Sequence, residues 1–217
     1  MKRAAILAVL LTFLGAPSYG QTVGISAGVN WAKITESACQ TFDEPCDLDF
    51  KTGFTIGVFA PFGWGNGKAF GPGNGKYAIQ PEVRFTRKGG KTSPGGEGQI
   101  NEGREINALE IAGLGRVNVS IHNIRPFVVV GPSMGFTVSA EDDSGSDLKD
   151  AFKTVDLQIV FGGGVRITDM LAVETRFQQS IYEIYTDSFR DESGLSDQPF
   201  NRHTNRAITF LVDVGFR

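Results

Sequence analysis

Hydrophobic and polar residues alternate along residues 155–181, VDLQIVFGGGVRITDMLAVETRFQQSI. The first half places Val155, Leu157, Ile159, Phe161, Gly163, Val165 and Ile167 on one side. The opposite side holds Asp156, Gln158, Val160, Gly162, Gly164 and Arg166. Successive side chains of a strand point to opposite faces, so this pattern predicts a strand with one apolar face and one polar or small face.

The same alternation resumes after a tight turn at residues 168–170, and it predicts a β-hairpin. Its apolar side stays nearly uncharged over the roughly 9 to 11 residues that a membrane-spanning strand needs. Its polar side carries Arg166 and Glu174, which we expect to meet across the hairpin, directly or diagonally.

Six further segments alternate in the same way. They are Thr22–Ala32, Gly53–Gly63, Tyr77–Lys88, Ile106–Val119, Arg125–Val138 and Asn205–Arg217. Pro81 is expected to mark a bulge in the third strand, because proline cannot donate to a strand ladder. The fifth strand has the weakest alternation, since residues 127–130 (FVVV) are apolar on both faces.

Eight strands joined by alternating long and short connections predict an all-β fold, an eight-stranded antiparallel up-and-down transmembrane β-barrel. Outer-membrane barrels have an even number of strands, short periplasmic turns and long external loops. The Gly-rich connection 63–76 departs from this rule, because it is long where a short turn is expected.

Periodicity does not decide which face is inside, because a soluble barrel or sandwich would bury the apolar face that a membrane barrel exposes. The charged face favours the membrane barrel. Its mid-strand positions hold four acids and four arginines and no lysine: Glu82, Arg84, Glu110, Arg116, Arg166, Glu174, Arg176 and Asp213. We expect these eight to point into the lumen and to pair as buried charges must, while the first, second and fifth strands supply mostly small residues.

An export signal agrees with this interpretation. Lys2 and Arg3 precede a short apolar run and small residues, which is typical of a signal peptide covering residues 1–20, followed by a barrel domain over 21–217. Removing that leader leaves 19 basic and 24 acidic residues, a net charge of −5. This balance gives no support for nucleic-acid binding.

Cys39 and Cys46 are a candidate disulfide, because export allows a bridge to form. We expect thiol labelling of the unreduced, denatured protein to find neither cysteine free, and loss of the bridge to leave the barrel intact. Labelling of both thiols would contradict the bridge.

The segments AIQPEVRFTRKGGK, NALEIAGLGRVNV, RPFVVVGPSMGF and VFGGGVRI, followed by a last strand ending in Val214-Gly215-Phe216, carry a family resemblance. In this order they resemble the outer-membrane β-barrel domain family that includes PorT-like "porin family" proteins. The resemblance covers nearly all of the chain after the leader. It implies the fold and an outer-membrane location, and it carries over no active site.

Candidate chemistry is sparse. His122 and His203 have no His or Cys neighbour at ligand spacing, so we expect no metal, cofactor-binding or catalytic residues. The main expectation is a non-enzymatic structural or interaction protein, with outer-membrane lipid and extracellular or envelope proteins as partners.

Five different roles are also compatible with the sequence. One is a rim-active enzyme that uses His203 with Ser193, Ser196 or Asp197. The other four are a small porin, an accessory protein of a secretion apparatus, a lipid-modifying enzyme and a soluble secreted barrel with an apolar ligand cavity.

Overall fold

The computed structural model describes residues 23–36, 49–64, 76–91, 104–119, 121, 124–142, 144–186 and 203–216. Nine strands run through them: β1 (Val23–Glu36), β2 (Asp49–Phe59), β3 (Phe62–Trp64), β4 (Tyr77–Lys91), β5 (Arg104–Asn118), β6 (Arg125–Asp142), β7 (Val155–Arg166), β8 (Leu171–Ser180) and β9 (His203–Phe216). Within this part of the chain, no helix is long and apolar enough to cross a membrane. The expected leader, residues 1–20, lies outside the described residues.

The strands form one closed antiparallel barrel with eight positions. β1 pairs with β2, each strand from β4 to β8 pairs with the next along the chain, and β9 pairs with β1; β2 and β3 share one position because both pair with β4. Paired residues lead around the barrel from Gly24 to Ser180, and Asn205 N donates to Ser180 Oγ one residue beyond the Gln179–Arg206 pair. Asn205 pairs with Ile34 of β1, so the stagger is ten residues. This stagger tilts the strands as in other closed barrels. The prediction of an eight-stranded antiparallel barrel is confirmed.

The apolar face of every strand points out of the barrel. Side chains on this face include Ile25, Val29, Phe54, Ile56, Val58, Ile79, Ile111, Val128, Val130, Ile159, Phe161, Val173, Phe177, Phe210 and Val212, and all are exposed. On β4 the apolar face runs from Tyr77 to Phe85 and ends at the exposed Arg87. That length matches an apolar band about 25 Å tall on a tilted strand.

The two ends of the barrel differ. One end, here called the turn end, carries the short connections 119–124 and 167–170 and the termini of the sheet at Val23 and Phe216. At the opposite end, the loop end, β1, β4, β6 and β8 end and β2, β5, β7 and β9 begin. At the loop end the strands extend beyond the predicted limits, since β1 continues to Glu36 and β6 to Asp142. Near the loop end the outward-facing residues are polar, but the strands still pair through their backbones there.

Pro81 does not form a bulge, which corrects the expectation for the third predicted strand. Its pairing with Gly113 of β5 is in regular register, and its carbonyl accepts the amide of Ala60 at 3.1 Å. The N–H that proline lacks would also have pointed toward Ala60, and the edge of β2 breaks at residues 60–61 before β3 resumes the pairing. The missing donor therefore appears as an interruption in the neighbouring strand.

The interior also contains larger apolar residues than expected. On β6 the FVVV segment divides its faces, because Phe127 and Val129 are buried inside while Val128 and Val130 are exposed outside. Phe59 of β2 is buried as well. The interior apolar cluster consists of Ala112, Leu114, Phe127, Val129, Val160 and Ala172. The second and fifth predicted strands thus add Phe59, Phe127 and Val129 to inward positions that are otherwise small, such as Thr55 and Ser133.

Candidate functional site

The lumen contains all eight charged residues selected from the alternation. Glu82, Arg84, Glu110, Arg116, Arg166, Glu174, Arg176 and Asp213 are each at most 5% exposed. They come from β4, β5, β7, β8 and β9, whose inward positions the barrel brings together. Their burial means that each charge must be offset by neighbouring groups rather than by bulk water.

Arg176 ties opposite walls of the barrel together. Its Nη2 donates to Glu82 Oε1 at 2.8 Å and to Glu174 Oε2 at 3.0 Å, while its Nη1 and Nε donate to the second oxygens of the same two carboxylates. Glu174 lies on the same strand, but Glu82 lies on β4, four positions away from β8 in either direction around the barrel. One guanidinium therefore bridges the full width of the lumen through two bidentate pairs, the strongest ion-pair geometry available to arginine.

Glu110 is the centre of a second group, nearer the loop end. It accepts hydrogen bonds from Lys88 Nζ at 3.0 Å, Thr86 Oγ1 at 3.2 Å and Gln178 Nε2 at 3.2 Å. Arg84 lies between the two groups, with Nη2 3.5 Å from Glu110 and Nε 3.6 Å from Glu82. Its guanidinium nitrogens make no hydrogen bond to the described residues, so Arg84 contributes charge at close range rather than directional bonds.

Arg116 occupies the lumen toward the turn end. Its Nη1 donates to Gln80 Oε1 at 2.9 Å, and its Nε donates to Asn118 Oδ1 at 3.0 Å. The guanidinium carbon lies 3.6 Å from the centre of the Phe127 ring, a close cation–π contact. The aromatic ring thus has a definite role inside the barrel, since it packs beneath a buried arginine.

The structure gives Glu174 a different partner from the one the hairpin suggested. Arg166 lies opposite Ala172, diagonal to Glu174, and the charges that act most strongly on it are Arg116, Arg125 and Asp169. Glu174 bonds to Arg176 on its own strand instead. The reason is geometric: a residue two positions along shares the same inward face, and here the bend of the barrel brings the two side chains together.

Asp213 is buried completely, and neither of its carboxylate oxygens accepts a hydrogen bond within the described part of the chain. The charges that surround it are Glu174, Arg176, Glu82 and Arg116. It therefore belongs to the same charged region without a direct ion pair among the described residues, which differs from the expected pairing of all eight residues.

Two further charges join this set although the sequence did not single them out. Lys88 is buried and its Nζ lies 3.5 Å from Asp156 Oδ2, which also accepts Ser180 Oγ at 3.0 Å. Lys88 follows Glu82 and Arg84 at even positions of β4, so the alternation could have identified it. Lys88 was not predicted to face the lumen because a lysine at the end of an apolar stretch is more often exposed.

An apolar group, the mouth cluster, is buried at the loop end of the lumen. It consists of Ile34, Ile106, Ala140, Ala151, Phe152, Ile184 and Tyr185. The segment after β6 and the segment after β8 are joined there by a bridge between Phe152 and Tyr185 and by the bond from Lys153 N to Ile184 O at 2.7 Å. Beneath it lies a small cavity lined by Lys88, Asp156, Asn205 and Phe152 among others.

Chemically, this arrangement is suited to sealing and cross-linking a barrel. The lumen carboxylates Glu82, Glu110 and Glu174 are buried next to cations. No group of three or more His, Cys, Asp or Glu among the described residues is placed to hold a metal ion. Cys39, Cys46, His122, Ser193, Ser196 and Asp197 lie outside the described residues, and the same holds for the side chain of His203.

A family comparison identifies the relatives of this fold. The family model described as "Outer membrane protein beta-barrel domain" matches residues 19–185. No curated protein sequence matches the chain.

Solved structures with a similar fold are outer-membrane barrels. Neisserial surface protein A is 12% identical and aligns over 89% of this chain and 97% of its own, with a TM-score of 0.50. Ail, the attachment invasion locus protein of Yersinia pestis, is 10% identical over 90% and 98%, with a TM-score of 0.47. The outer membrane enzyme PagL is 11% identical over 86% and 98%, with a TM-score of 0.44. At these identities the likeness concerns the fold alone.

Proposed function

Because this chain belongs to the outer membrane protein β-barrel domain family, we propose that it is a sealed envelope barrel with a structural or interaction role. Barrels of this kind place their short turns in the periplasm and their longer loops outside the cell. The loop end is accordingly the surface offered to extracellular or envelope partners. Outer-membrane lipid surrounds the apolar band.

The observation that carries this proposal is the bridge of Arg176 to Glu82 across the lumen. An eight-stranded barrel has an interior just wide enough for side chains to fill. Here a guanidinium with two bidentate carboxylates occupies the middle of that interior. Solute passage would require these bonds to break, and buried charges separated from their partners are unfavourable by several kcal/mol.

Two buried groups in series support the sealed barrel over a small porin. The mouth cluster is buried at the loop end, and the bonds centred on Glu110 lie between it and the Arg176 bridge. An enzymatic role finds no support in the lumen, because its carboxylates are buried next to cations. The proposal therefore assigns no catalytic residue.

Electrical recording tests the proposal. We expect the wild-type protein, inserted into planar bilayers, to give no stable single-channel currents, because the lumen is filled at several levels. A sixteen-stranded porin reconstituted in the same way, whose lumen is an aqueous channel, provides the positive control. Protease protection of the turn end should confirm insertion in the same preparation. Large, stable current steps from the wild type would overturn the sealed barrel in favour of a pore.

A further inference from the structure

The apolar face of the barrel is taller on one side than on the other. Along β7 and the residue after it, seven successive outward positions from Val155 to Ile167 are apolar or glycine. On β9 the corresponding run has five positions, from Ile208 to Phe216. Each outward position adds about 5 Å of height on a strand tilted by about 40°. The apolar face is therefore about 10 Å taller at β7 than at β9.

The additional height lies at the loop end. The register places Val155 and Ile181 at or beyond the level at which Arg87 and Arg206 end the apolar face of β4 and β9. The apolar side chains exposed at this level are Val138, Val155, Ile181 and Tyr182. The outward residues of β6, β7 and β8, together with these four, are here called the tall face. Its upper part lies at the level of lipid headgroups and water.

The tall face carries almost no polar groups between its two ends. The nearest charged side chains on these strands lie at those ends: Arg125 and Asp169 at the turn end, and Glu141, Lys153 and Glu183 at the loop end. Within the described face the polar side chains are Thr175 and Gln179, and the Gln179 amide already donates to neighbouring oxygens at 3.1 and 3.2 Å. A partner that covers this face therefore meets an apolar surface.

A depression lies near the middle of the tall face. Its volume is about 390 Å³. Its walls are Val128, Phe161, Phe177 and Ile208. Its floor lies at the pair of Gly163 and Thr175, where the glycine has no side chain to fill the space. Since a cavity of about 150 Å³ holds a benzene ring, the depression has room for an aromatic side chain.

Phe161 projects from the face beside this depression. It is 61% exposed, more than any other large apolar side chain in the described part of the chain. Its level along the barrel axis is within about 5 Å of the Gly163–Thr175 pair. Two copies related by a twofold axis along the membrane normal bring equal levels together, so Phe161 of each copy meets the depression of the other.

We propose that the tall face is the interface of a homodimer in the membrane, with Phe161 of each copy in the depression of the other. Acyl chains do not reach the upper part of the face, whereas a second copy has the same height and the same orientation in the membrane. Association thus removes a hydrophobic mismatch. The inference rests on membrane insertion and not on whether the lumen conducts.

The area of the tall face indicates how stable the dimer is. Three strands about 4.8 Å apart and about 30 Å tall present about 450 Å² on each copy, or about 900 Å² in total. Specific interfaces bury at least about 1,000 Å² in total, and smaller ones are transient. We therefore expect a dimer that forms and dissociates reversibly.

Energy transfer between copies in lipid vesicles tests the dimer. Donor and acceptor dyes are attached to the amino terminus, and the protein is folded into dilauroyl or dieicosenoyl phosphatidylcholine. We expect the wild type to associate about 10-fold more strongly in the thinner dilauroyl bilayer, because more of the tall face protrudes from it.

Two variants change the contact itself. Phe161→Ala removes the projecting ring and Thr175→Trp fills the depression, and each should weaken association by about 10-fold, as loss of an aromatic anchor does. The matched controls are Phe54→Ala and Val58→Trp on β2, which lies across the barrel from β7. Both control positions are exposed, and these variants should associate as the wild type does.

Three results would overturn the dimer. The first is energy transfer in the wild type that unlabelled protein does not reduce, which would leave the face to lipid or to a different envelope protein. The second is equal association in the thin and the thick bilayer. The third is association that Phe161→Ala and Thr175→Trp leave unchanged, or that the β2 controls weaken equally. Heat-modifiable gel mobility checks that each variant is folded.

Discussion

Replacement of Arg176 by methionine is expected to lower the free energy of unfolding by about 3 to 5 kcal/mol. The substitution keeps much of the side-chain volume but leaves Glu82 and Glu174 as buried carboxylates without their shared cation. Urea titration of the protein folded into lipid vesicles, followed by tryptophan fluorescence, measures the change. Most of this loss in unfolding free energy is the cost of leaving the Glu82 and Glu174 carboxylates buried without a cation. It is not the net contribution of their ion pairs with Arg176.

The matched control is Arg125→Met. Arg125 also forms an ion pair, with Asp169, but both side chains are well exposed at the turn end, at 32% and 63%. Exposed pairs contribute about 0 to 1 kcal/mol because water and salt screen them. A loss at Arg176 no larger than that at Arg125 would show that the lumen admits enough water to solvate Glu82 and Glu174.

An arginine at Val212 is expected to destabilise the folded barrel by about 2 to 4 kcal/mol. Val212 is exposed on the outward face of β9, midway between Arg206 and the end of the strand at Phe216. This position faces the middle of the bilayer, where a guanidinium loses its hydration without gaining a partner. Unfolding in the same vesicles measures the effect.

Depth along the barrel provides the control for this second prediction. Gln179→Arg introduces the same side chain on the outward face of β8, opposite Arg206 at the loop end. Near the interface such a change costs about 0 to 1 kcal/mol. If the two variants were equally stable, the outward face of the barrel would not be lipid-facing.

The fold and its inside-out polarity could be predicted because a strand has a period of two. Once Ile159 and Phe161 are assigned to the lipid, Arg166 is assigned to the lumen. The same parity holds for Lys88, which was not among the eight charges predicted to face the lumen. The family comparison confirmed the outer-membrane location that the resemblance implied.

Partners inside the lumen could not be predicted, because periodicity gives the direction of a side chain but not its height or its distance across the barrel. The alternation predicts a contact between Arg166 and Glu174 on neighbouring strands. In the structure the contact across the lumen joins Arg176 to Glu82 of β4, 94 residues earlier in the chain. That contact depends on the ring closing at eight positions and on the stagger between strands. The inward positions of Phe127 and Val129 were hidden for a different reason, since a run that is apolar throughout shows no alternation.

The bridge across the lumen is tested most directly by a double-mutant cycle between Glu82 and Arg176, measured as unfolding free energies of Glu82→Gln, Arg176→Met and the double variant. We expect a coupling free energy of about 1 to 3 kcal/mol, as for residues in direct contact. The corresponding cycle for Arg166 and Glu174 should give a smaller value, because Glu174 bonds to Arg176 instead. Additive effects of Glu82→Gln and Arg176→Met, within about 0.5 kcal/mol, would contradict a bridge that spans the lumen.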